Sequence, residues 1–532
     1  MKRDYGNVMN RSTLFLRGVV GAVLVAFLGA CGSLPPARER PLENAAPADP
    51  TSVLATIAAA SSPPGEHSGF RLMPLGVYSL DARLQLARRA RHSLVVQYYQ
   101  LENDGSGRLL LRALREAAIR GVKVRLLVDD LYTSQSQQLL LALSETPNIE
   151  VRLFNPFCCG RDGLLSRFLA SPHEIARLNH RMHNKLFIAD GAMAVVGGRN
   201  IADEYFVLSE SQNFIDMDAL VVGRVLPRLE AVFDAYWNSE QVRPIGEIVV
   251  PGGDRKASGA DFDSRIGMAA PPPKIELPPA DLLGYGPIAE ELDEGRMGLL
   301  WGEARVIADP PSKPSYMTTQ EAIATSVTMQ VWGLLMDART EVDLTSPYLV
   351  PGEMGMAAFE DLARRNVKLT LLTNSLAAND EPLVHTGYAR YRERLLRSGA
   401  DLYELSPERT TAGMRFGAFG KSLGRLHAKT AAVDRRHVFI GSMNLDPRSA
   451  SQNTEMGLVI DSPQLAREML RIIKISKLQN SYRLRLSRQD GTLQWLTNDG
   501  EQEVILTTEP ESGLLQRLYN RLISPLVPEM LL

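Results

Sequence analysis

The sequence predicts an α/β fold made of two fused units related by pseudo-two-fold symmetry, with a functional site at the interface between them. Three observations support this prediction: a strand–helix–strand order that occurs twice, a short polar motif that occurs twice with the same spacing, and a Pro-rich stretch between the two copies. Strands that alternate with helices form sheets covered on both faces. We therefore expect a mostly parallel sheet in each half.

Two segments of the chain share one order of predicted elements. Apolar residues alternate in the strands and recur with helical spacing between them. The two strand–helix–strand units are residues 93–99, 109–120 and 122–128, and residues 342–345, 354–365 and 367–373. An internal repeat of this kind predicts one α/β unit in each half.

Shifts in composition divide the chain into five segments. These are residues 1–31, an N-terminal segment that we interpret as a lipoprotein signal peptide; 32–52, a Pro- and Ala-rich tether; 53–250, the first α/β domain; 251–287, a Pro- and Gly-rich linker; and 288–532, the second α/β domain with an amphipathic tail. Segment 251–287 carries three consecutive prolines, which favours a surface linker. A flap over the site is the alternative.

The N-terminal segment has the features of a bacterial export signal. Basic residues precede an apolar run at 18–28 that is short for a membrane-spanning helix, and the four residues ending at Cys31 resemble a lipobox. This resemblance implies a lipidated Cys31 and an anchored protein that faces the periplasm. Gly32 stands where an Asp would mark retention in the inner membrane, which favours the outer membrane. An uncleaved N-terminal anchor helix is the alternative.

Composition sets limits on the class of protein. A chain of 532 residues with 45% hydrophobic content can bury two cores. A net charge of -2 gives no overall attraction to nucleic acid, although a local basic patch could suffice.

Cys158 and Cys159 are adjacent in sequence, so their Cα atoms lie closer together than the Cα atoms of an ordinary disulfide. We therefore expect two buried free thiols. No histidine lies near them at ligand spacing, and we predict neither a metal site nor a cofactor.

A polar motif recurs with the same internal spacing in both halves. Its members are His183, Lys185, Asp190, Gly197, Gly198 and Asn200 in the first copy, and His427, Lys429, Asp434, Gly441, Ser442 and Asn444 in the second. One copy would be weak support, because the histidine could be an ordinary core residue and the lysine a surface charge. The second copy makes a chance match improbable.

The residue types in the motif suit phosphate chemistry. A histidine and a lysine two positions apart on a strand point to the same face, so each copy brings an imidazole beside an ammonium group. The small residues let the backbone approach a ligand, and the asparagine adds an amide donor. Two copies facing each other would surround a phosphoryl group with four donors and two imidazoles.

The duplicated motif resembles that of the phospholipase D superfamily. The resemblance implies a reaction without metal, in which one histidine attacks phosphorus to form a phosphohistidine and the other protonates the leaving alcohol. We assign His183 as the nucleophile and His427 as the acid, and the reverse order is the alternative.

The same resemblance implies roles for the remaining polar residues. Lys185 and Lys429 complete the catalytic pairs, while Asn200 and Asn444 would bind the substrate phosphate. Asp190 and Asp434 belong to the catalytic motif, and we expect them to hold a loop rather than touch the substrate. Two carboxylates are the candidates for orienting the histidines: Glu455 in the second half and Asp216 in the first.

Longer runs resemble bacterial cardiolipin synthases, in particular the cardiolipin synthase C type. They include Met182-His183-Asn184-Lys185, Ser346-Pro347-Tyr348, His385-Thr386-Gly387-Tyr388 and Asn444-Leu445-Asp446-Pro447-Arg448-Ser449. This likeness implies transfer of a phosphatidyl group to phosphatidylglycerol, with phosphatidylethanolamine as donor and no nucleic-acid partner. A phospholipase D-type hydrolase, a nuclease and a noncatalytic lipid-binding lipoprotein are the alternatives.

The C-terminal segment 514–532 mixes leucines with Arg517 and Arg521. An apolar face with basic flanks suits a membrane interface. A terminal helix docked on its own domain is the alternative.

Overall fold

The computed structural model describes residues 34, 36, 38–65, 67–252, 257–313, 324–413, 422–499 and 502–528. Its strands are β1 Ser68–Met73, β2 Ser93–Tyr98, β3 Lys123–Asp129, β4 Ile149–Phe154, β5 Leu186–Ala189, β6 Met193–Gly197, β7 Gln212–Ile215, β8 Asp218–Gly223, β9 Val242–Pro244, β10 Leu300–Ala308, β11 Glu341–Thr345, β12 Lys368–Asn374, β13 Asp401–Leu405, β14 Leu423–Leu426, β15 Thr430–Val433, β16 His437–Gly441, β17 Met456–Asp461, β18 Ser481–Leu486, β19 Leu493–Asp499 and β20 Gln502–Leu506.

Helices alternate with these strands as the sequence predicts. They are α1 Val53–Ser61, α2 Gly76–Arg89, α3 Gly105–Ile119, α4 Gln137–Ser144, α5 Leu164–Leu169, α6 Ile175–Leu178, α7 Leu226–Trp237, α8 Ile245–Ile248, α9 Gly259–Ile266, α10 Ile288–Asp293, α11 Val327–Met336, α12 Gly352–Arg364, α13 Pro382–Ala389, α14 Arg392–Arg397, α15 Pro407–Gly413, α16 Pro447–Ser451, α17 Pro463–Gln479 and α18 Leu514–Ile523. None of the described helices is long and apolar enough to cross a membrane.

The two predicted strand–helix–strand units are present as β2-α3-β3 and β11-α12-β12. Helix α3 begins where the Asp104 side chain accepts a hydrogen bond from the Gly107 amide at 2.9 Å, which caps the first turn. After each helix the chain turns in the left-handed region, at Gly121 with φ +96° and at Asn366 with φ +60°. Glycine and asparagine are the residues that tolerate this conformation best. The repeat therefore extends to the turns.

One sheet runs through both halves of the molecule. Among the described strands, eighteen follow the order β9-β4-β3-β2-β5-β6-β8-β1-β10-β17-β16-β15-β11-β12-β13-β18-β19-β20. The run β4-β3-β2-β5-β6-β8 of the first half corresponds to β13-β12-β11-β15-β16-β17 of the second. This repeated order gives the predicted pseudo-two-fold symmetry.

Strand β10 joins the two runs. Its first residues pair with β1, with Leu300 opposite Phe70, and its remaining residues pair with β17, with Ala308 opposite Met456. A cluster of buried side chains lies across the same seam and includes Phe70 and Val196 from the first half and Leu458 from the second. The halves therefore share a sheet and a hydrophobic core.

The prediction of a mostly parallel sheet is wrong. Only β2-β3-β4 and β11-β12-β13 run parallel within the large sheet, and antiparallel strands flank both triplets. The cause is the motif itself, because β5 and β6 form a hairpin, as do β15 and β16. A short turn can connect antiparallel strands but not parallel ones.

The described part of the predicted tether is docked on the first domain. Arg40 Nη2 donates to the Val242 carbonyl at 2.6 Å, and the Glu43 and Ala45 amides donate to Asn238 and Asp234 at 2.9 Å and 2.7 Å. These polar contacts hold the segment along α7 and β9. The low compactness that its Pro and Ala content suggested is therefore not what the structure has.

The Pro-rich stretch before β10 also lies on the first domain. In α9, Asp263 accepts a hydrogen bond from Arg115 Nε at 3.0 Å, and farther along the Tyr78 hydroxyl donates to the Pro278 carbonyl at 2.5 Å. These contacts place the described part of the stretch against α2 and α3.

Candidate active site

Each histidine segment pairs with a segment of the opposite half. Met182 forms a parallel bridge with Thr454, and the His183 amide donates to the Thr454 carbonyl at 2.9 Å. In the same way β14 pairs with β7, and the His427 amide donates to the Ile215 carbonyl at 2.8 Å. The residue after each partner is a carboxylate, Glu455 or Asp216. The backbone therefore sets a carboxylate of one half beside the histidine of the other.

The side chains complete this exchange between halves. His183 Nδ1 lies 2.9 Å from Glu455 Oε2, and His427 Nδ1 lies 2.6 Å from Asp216 Oδ2. A carboxylate on Nδ1 fixes the ring and the tautomer and leaves Nε2 for a ligand. The structure thus places both residues that we assigned from sequence as histidine-orienting groups against a histidine.

The two motif copies differ at the position of Gly198 and Ser442, and each of these residues lies against the carboxylate that orients a histidine. A Cβ at Gly198 would lie 2.2 Å from Asp216 Oδ1, so only glycine leaves room for that side chain. At the equivalent position Ser442 donates its hydroxyl to Glu455, and Ser449 donates to the other Glu455 oxygen at 2.9 Å. Glycine thus makes space for Asp216, whereas serine binds Glu455.

The motif lysines are buried beside the histidines. Lys185 Nζ donates to the His183 carbonyl at 2.7 Å and lies 5.2 Å from the centre of the Tyr99 ring. Lys429 Nζ donates to the His427 carbonyl. The structure therefore holds each ammonium group beside the backbone of its own histidine.

Asn200 and Asn444 line the cavity with both histidines. Asn200 Nδ2 donates to the Tyr205 hydroxyl at 2.9 Å, and the buried Oδ1 atoms of both asparagines have no hydrogen-bond partner among the described residues. A flipped Asn200 amide has the same shape. In that orientation Oδ1 accepts from Tyr205 and Nδ2 is available to a ligand oxygen.

Asp190 and Asp434 lie in turns away from the cavity. Both have φ +52°, between the two strands of the motif hairpin. Asp190 accepts hydrogen bonds from the amides of residues 91–93, and Asp434 from the amides of residues 339–341, at 2.7–3.2 Å. These carboxylates position the start of β2 and of β11. Their place matches the loop-holding role that we expected.

The cavity has a volume of about 410 Å³ and draws its walls from both halves. Aromatic rings pack on the imidazoles: Tyr99 lies 5.1 Å from His183, and Tyr205 and Phe214 each lie 5.0 Å from His427, measured between ring centres. Sequence reasoning missed these three aromatic residues. A signal was present, since Tyr99 is the last residue of a predicted strand and so falls at the end of the sheet where parallel strands place ligands.

Charged side chains also line the cavity. They are Glu204, Asp380, Glu381, Asp446 and Arg448. Asp380 Oδ2 accepts a hydrogen bond from the Tyr348 hydroxyl at 2.9 Å, while its buried Oδ1 has no hydrogen-bond partner in the part of the chain that the structure describes. Arg448 Nη1 donates to Asn179 Oδ1 at 3.0 Å, across the seam. Apart from Asp446 and Arg448, which belong to a run that resembles cardiolipin synthases, sequence reasoning did not find them.

Burial sets the protonation of the site. It lowers the pKa of His183 well below the ordinary value, with Lys185 and Lys429 adding to the effect, and it lowers the pKa of His427 to about 4. Burial would raise the pKa of Asp216, but His427 and Lys429 outweigh it and hold that pKa at about 2. At Glu455 burial prevails and raises the pKa to about 7. Both imidazoles are therefore neutral at pH 7, as a nucleophile requires.

Cys31 lies outside the described residues, as do the other residues of 1–33. Lipidation and placement in the envelope therefore stay predictions.

The prediction of two buried free thiols is wrong, because Cys158 and Cys159 form a disulfide and both are partly exposed. They lie in the loop after β4, where the chain has left the sheet and can bring adjacent side chains together.

Comparison with known proteins identifies the family. A family model described as "Cardiolipin synthase, PLD-like domain" matches residues 84–237 and 331–475, more than half of the chain. The chain is 39% identical over 471 residues to cardiolipin synthase C of Escherichia coli K12, and the aligned residues cover 85% of this chain and 94% of that protein. It is 25% identical over 391 residues to cardiolipin synthase 1 of Staphylococcus aureus MRSA252, which covers 73% of this chain and 63% of that protein.

A solved structure supports the same assignment at the level of fold. The phosphatidylserine synthase of Haemophilus influenzae Rd KW20 superposes with a TM-score of 0.53 at 13% identity, covering 87% of this chain and 95% of that one. The resemblance drawn from the duplicated motif is confirmed. The protein is thus a member of the cardiolipin synthase family with two phospholipase D-like domains.

Proposed function

We propose that the protein is a phosphatidyltransferase that makes cardiolipin from phosphatidylglycerol and a second phospholipid, phosphatidylethanolamine, through a phosphohistidine. One observation carries the proposal: two imidazoles line a single cavity, and a carboxylate on each Nδ1 leaves each Nε2 for the reaction. The relatives named cardiolipin synthase support the same reaction.

The first half-reaction forms the covalent intermediate. His183 Nε2 attacks phosphorus, and the bond from phosphorus to the head-group oxygen breaks. His427 Nε2–H gives its proton to that oxygen, so the head group leaves as an alcohol rather than an alkoxide. The bound phosphodiester carries a negative charge, which raises the pKa of a nearby imidazole and so supplies the protonated His427 that this step needs.

The second half-reaction reverses the roles. His427, now neutral, takes the proton from a hydroxyl of phosphatidylglycerol, whose oxygen attacks phosphorus. The bond from phosphorus to His183 Nε2 breaks and cardiolipin leaves. Lys185, Lys429 and the two motif asparagines stabilise the negative charge that grows on the phosphoryl oxygens in both steps. The opposite order of the two histidines uses the same atoms.

The acidic wall of the cavity supports phosphatidylethanolamine as the donor. Its head group ends in an ammonium ion, and the carboxylates of Glu204, Asp380 and Glu381 line the cavity. One Asp380 oxygen accepts no hydrogen bond from any residue that the structure describes. These carboxylates would attract the ammonium group electrostatically, which favours binding of this donor. The same wall disfavours a nuclease, since a polyanion would meet four lining carboxylates and one arginine.

Hydrolysis is the second candidate because the covalent step is the same. If water replaces the lipid hydroxyl in the second step, the product is phosphatidic acid and the protein is a phospholipase D. The polar walls of the cavity admit water as well as a glycerol hydroxyl. Only the product distinguishes the two reactions.

The test is lipid mass spectrometry with isotope-labelled phosphatidylglycerol, with and without phosphatidylethanolamine. We expect labelled cardiolipin from the wild type and none from His183→Ala or His427→Ala. A phosphoryl adduct on His183 after rapid quenching supports its role as nucleophile, and an adduct on His427 reverses the order. Phosphatidic acid as the sole product would make the protein a hydrolase, and no product from either lipid would overturn both candidates.

We also propose that Cys31 is lipidated and holds the enzyme on the periplasmic side of the cell envelope, on the outer membrane. The lipobox-like sequence supports this, and several acyl chains bind a bilayer far more stably than one. Cys31→Ser should release the protein from the membrane fraction. Unchanged recovery in that fraction would favour an uncleaved anchor.

A further inference from the structure

We propose that the leucine face of α18, together with a second apolar patch on α5 and α6, docks on a phospholipid bilayer and holds the mouth of the active site against it. The leucine face consists of Leu514, Leu515, Leu518 and Leu522. The second patch consists of Leu164, Leu165, Leu169 and Ile175. This inference rests on the proposed lipid substrate and names the surface from which that substrate enters.

Helix α18 is docked by its polar side. Gln516 Nε2 donates to the Leu376 carbonyl at 3.1 Å, and Asn520 is only 9% exposed. The leucines point outward: Leu514 is 75% exposed and Leu515 is 81% exposed. A helix that folds onto its own domain for stability buries its apolar stripe instead. Contiguous exposed leucines mark a surface that another apolar body covers.

The leucine face has the borders of an interfacial helix. At 3.6 residues per turn, Arg521 and Arg517 lie along one edge of the leucines, and Tyr519 lies along the other with 49% of its surface exposed. Arginines beside an apolar face bind anionic head groups, and tyrosine prefers the boundary between water and lipid. The charge and chemistry of the helix therefore fit a phospholipid surface.

The leucine face adjoins the mouth of the cavity. Helix α13 supplies Leu383 and Val384 to the cavity wall. Helix α18 packs against α13, and just beyond it the Ser524 hydroxyl donates to the Thr386 carbonyl of α13 at 3.2 Å. A single helix thus separates the leucine face from the cavity.

The segment that carries the second patch contacts cavity-lining residues of the first half. Leu131 and Tyr132 line the cavity from the first half. Arg167 of α5 donates to the Leu131 carbonyl at 3.1 Å, and the Phe168 ring lies 5.2 Å from that of Phe157 in the same cluster. On the outer side of α5, Leu165 is 74% exposed. Apolar side chains therefore flank the mouth from both halves of the molecule.

A bilayer explains why apolar residues surround a polar cavity. Beside aromatic rings and the apolar Leu131, Leu383 and Val384, the cavity is lined by histidines, asparagines and carboxylates, which suit a phosphate and a head group rather than two long acyl chains. A diacyl lipid can present its phosphate there while its chains stay in the bilayer. This requires the rim of the cavity to sit at the level of the head groups, and an interfacial helix lies about 5–10 Å into the boundary of head groups and chains.

Fluorescence tests the contact directly. In the His183→Ala background, Leu515→Trp adds a reporter on the leucine face, and Ile119→Trp adds one at the C-terminus of α3. Ile119 is 62% exposed and lies at the end of the sheet opposite the site, because α3 returns the chain from the end of β2 to the start of β3. The vesicles contain phosphatidylglycerol and phosphatidylethanolamine brominated near the head group. When the protein binds to them, we expect the fluorescence of the tryptophan added at position 515 to fall by about half or more and the fluorescence of the tryptophan added at position 119 to be unchanged. Equal quenching at both positions, or none at 515, would overturn the proposal.

Turnover tests the consequence. Leu518→Ser combined with Leu522→Ser should lower cardiolipin synthesis on vesicles by about tenfold or more and leave turnover of short-chain lipids dispersed as monomers within about twofold. The matched control Ile119→Ser should change neither. Equal loss on both substrates would assign the leucines to the fold, and a change from dimer to monomer would assign them to a second copy of the chain; either result overturns the proposal. Because quenching needs no catalysis, it distinguishes failed docking from failure of the proposed reaction.

Discussion

At the scale of single residues, the two histidine–carboxylate pairs are not equivalent. Asp216 has a pKa held at about 2, whereas burial raises the pKa of Glu455 to about 7. Glu455 therefore takes up a proton near neutral pH that Asp216 does not. Near neutral pH the two carboxyl groups that orient the imidazoles therefore differ in mean charge, although the pseudo-symmetry relates their positions.

This asymmetry predicts a pH-dependent cost to stability. Folded Glu455 binds its proton more tightly than the unfolded chain, so its favourable contribution is complete below pH 4.5 and is lost as the pH rises through about 7. Glu455→Gln cannot lose a proton. We expect this variant to gain stability over the wild type with rising pH, by up to about 3 kcal/mol, while turnover falls about 10–100-fold. Urea unfolding at about pH 5 and about pH 8 measures the difference, with exposed Glu303→Gln as control; a difference that does not grow with pH contradicts it.

Gly198 gives a second prediction at this scale. In Gly198→Ala the new methyl group would meet Asp216 Oδ1 at 2.2 Å, so the carboxylate must leave His427 Nδ1. We expect turnover to fall about 100-fold, as for loss of a group that orients a catalytic ligand. Gly246→Ala is the matched control, because a Cβ at Gly246 meets no atom of the described residues within 4 Å. Wild-type turnover in Gly198→Ala would mean that Asp216 does not need its present position.

At the scale of elements, the motif hairpins are fastened by their aspartates. Asp190 is buried and accepts hydrogen bonds from the three successive amides of residues 91–93, at the start of β2. We expect Asp190→Ala to lower stability by about 1–3 kcal/mol, since those amides lose their acceptor. Turnover well below the unfolding temperature should stay within about threefold.

The comparison variant is His183→Ala, which should keep its stability and lose its turnover. Thermal unfolding and turnover measured on the same samples separate the two roles. If Asp190→Ala loses turnover without losing stability, the aspartate acts in the reaction rather than in the turn.

Local pattern explains which elements were predictable. Strands β2 and β11 each differ by one residue from the predicted segments 93–99 and 342–345, because apolar alternation and β-branched residues are local signals. The motif likewise placed His183 and His427 on one cavity. Which particular side chains pair across the two halves was not readable from local pattern.

Two examples show where sequence reasoning ended. It named Glu455 and Asp216 as orienting groups, but not that each serves the histidine of the other half, because that pairing arises from β7 with β14 and from the Met182 bridge. It recognised leucines and arginines in α18, but not which side of the helix is docked. That side depends on Leu376 and α13, more than a hundred residues earlier in the chain.

At the scale of the whole molecule, the site depends on the seam. Each half alone contains one histidine without its carboxylate and one face of the shared core. We expect neither half expressed alone to catalyse transfer. A chain cut at a protease site placed within residues 253–256 should stay associated and keep its turnover, because the shared core and sheet hold the halves together. Size-exclusion chromatography with a turnover assay tests both outcomes, and activity from one isolated half would contradict the dependence.

The crossed carboxylates also bear on how such a protein can arise. A single unit of this fold could complete its site only as a dimer of identical copies, in which the carboxylate of each copy binds the histidine of the other. Joining two units in one chain would turn that exchange between molecules into a contact within one. Each copy could then change without altering the other, and glycine facing aspartate in one pair, with serine facing glutamate in the other, is the divergence that fusion permits.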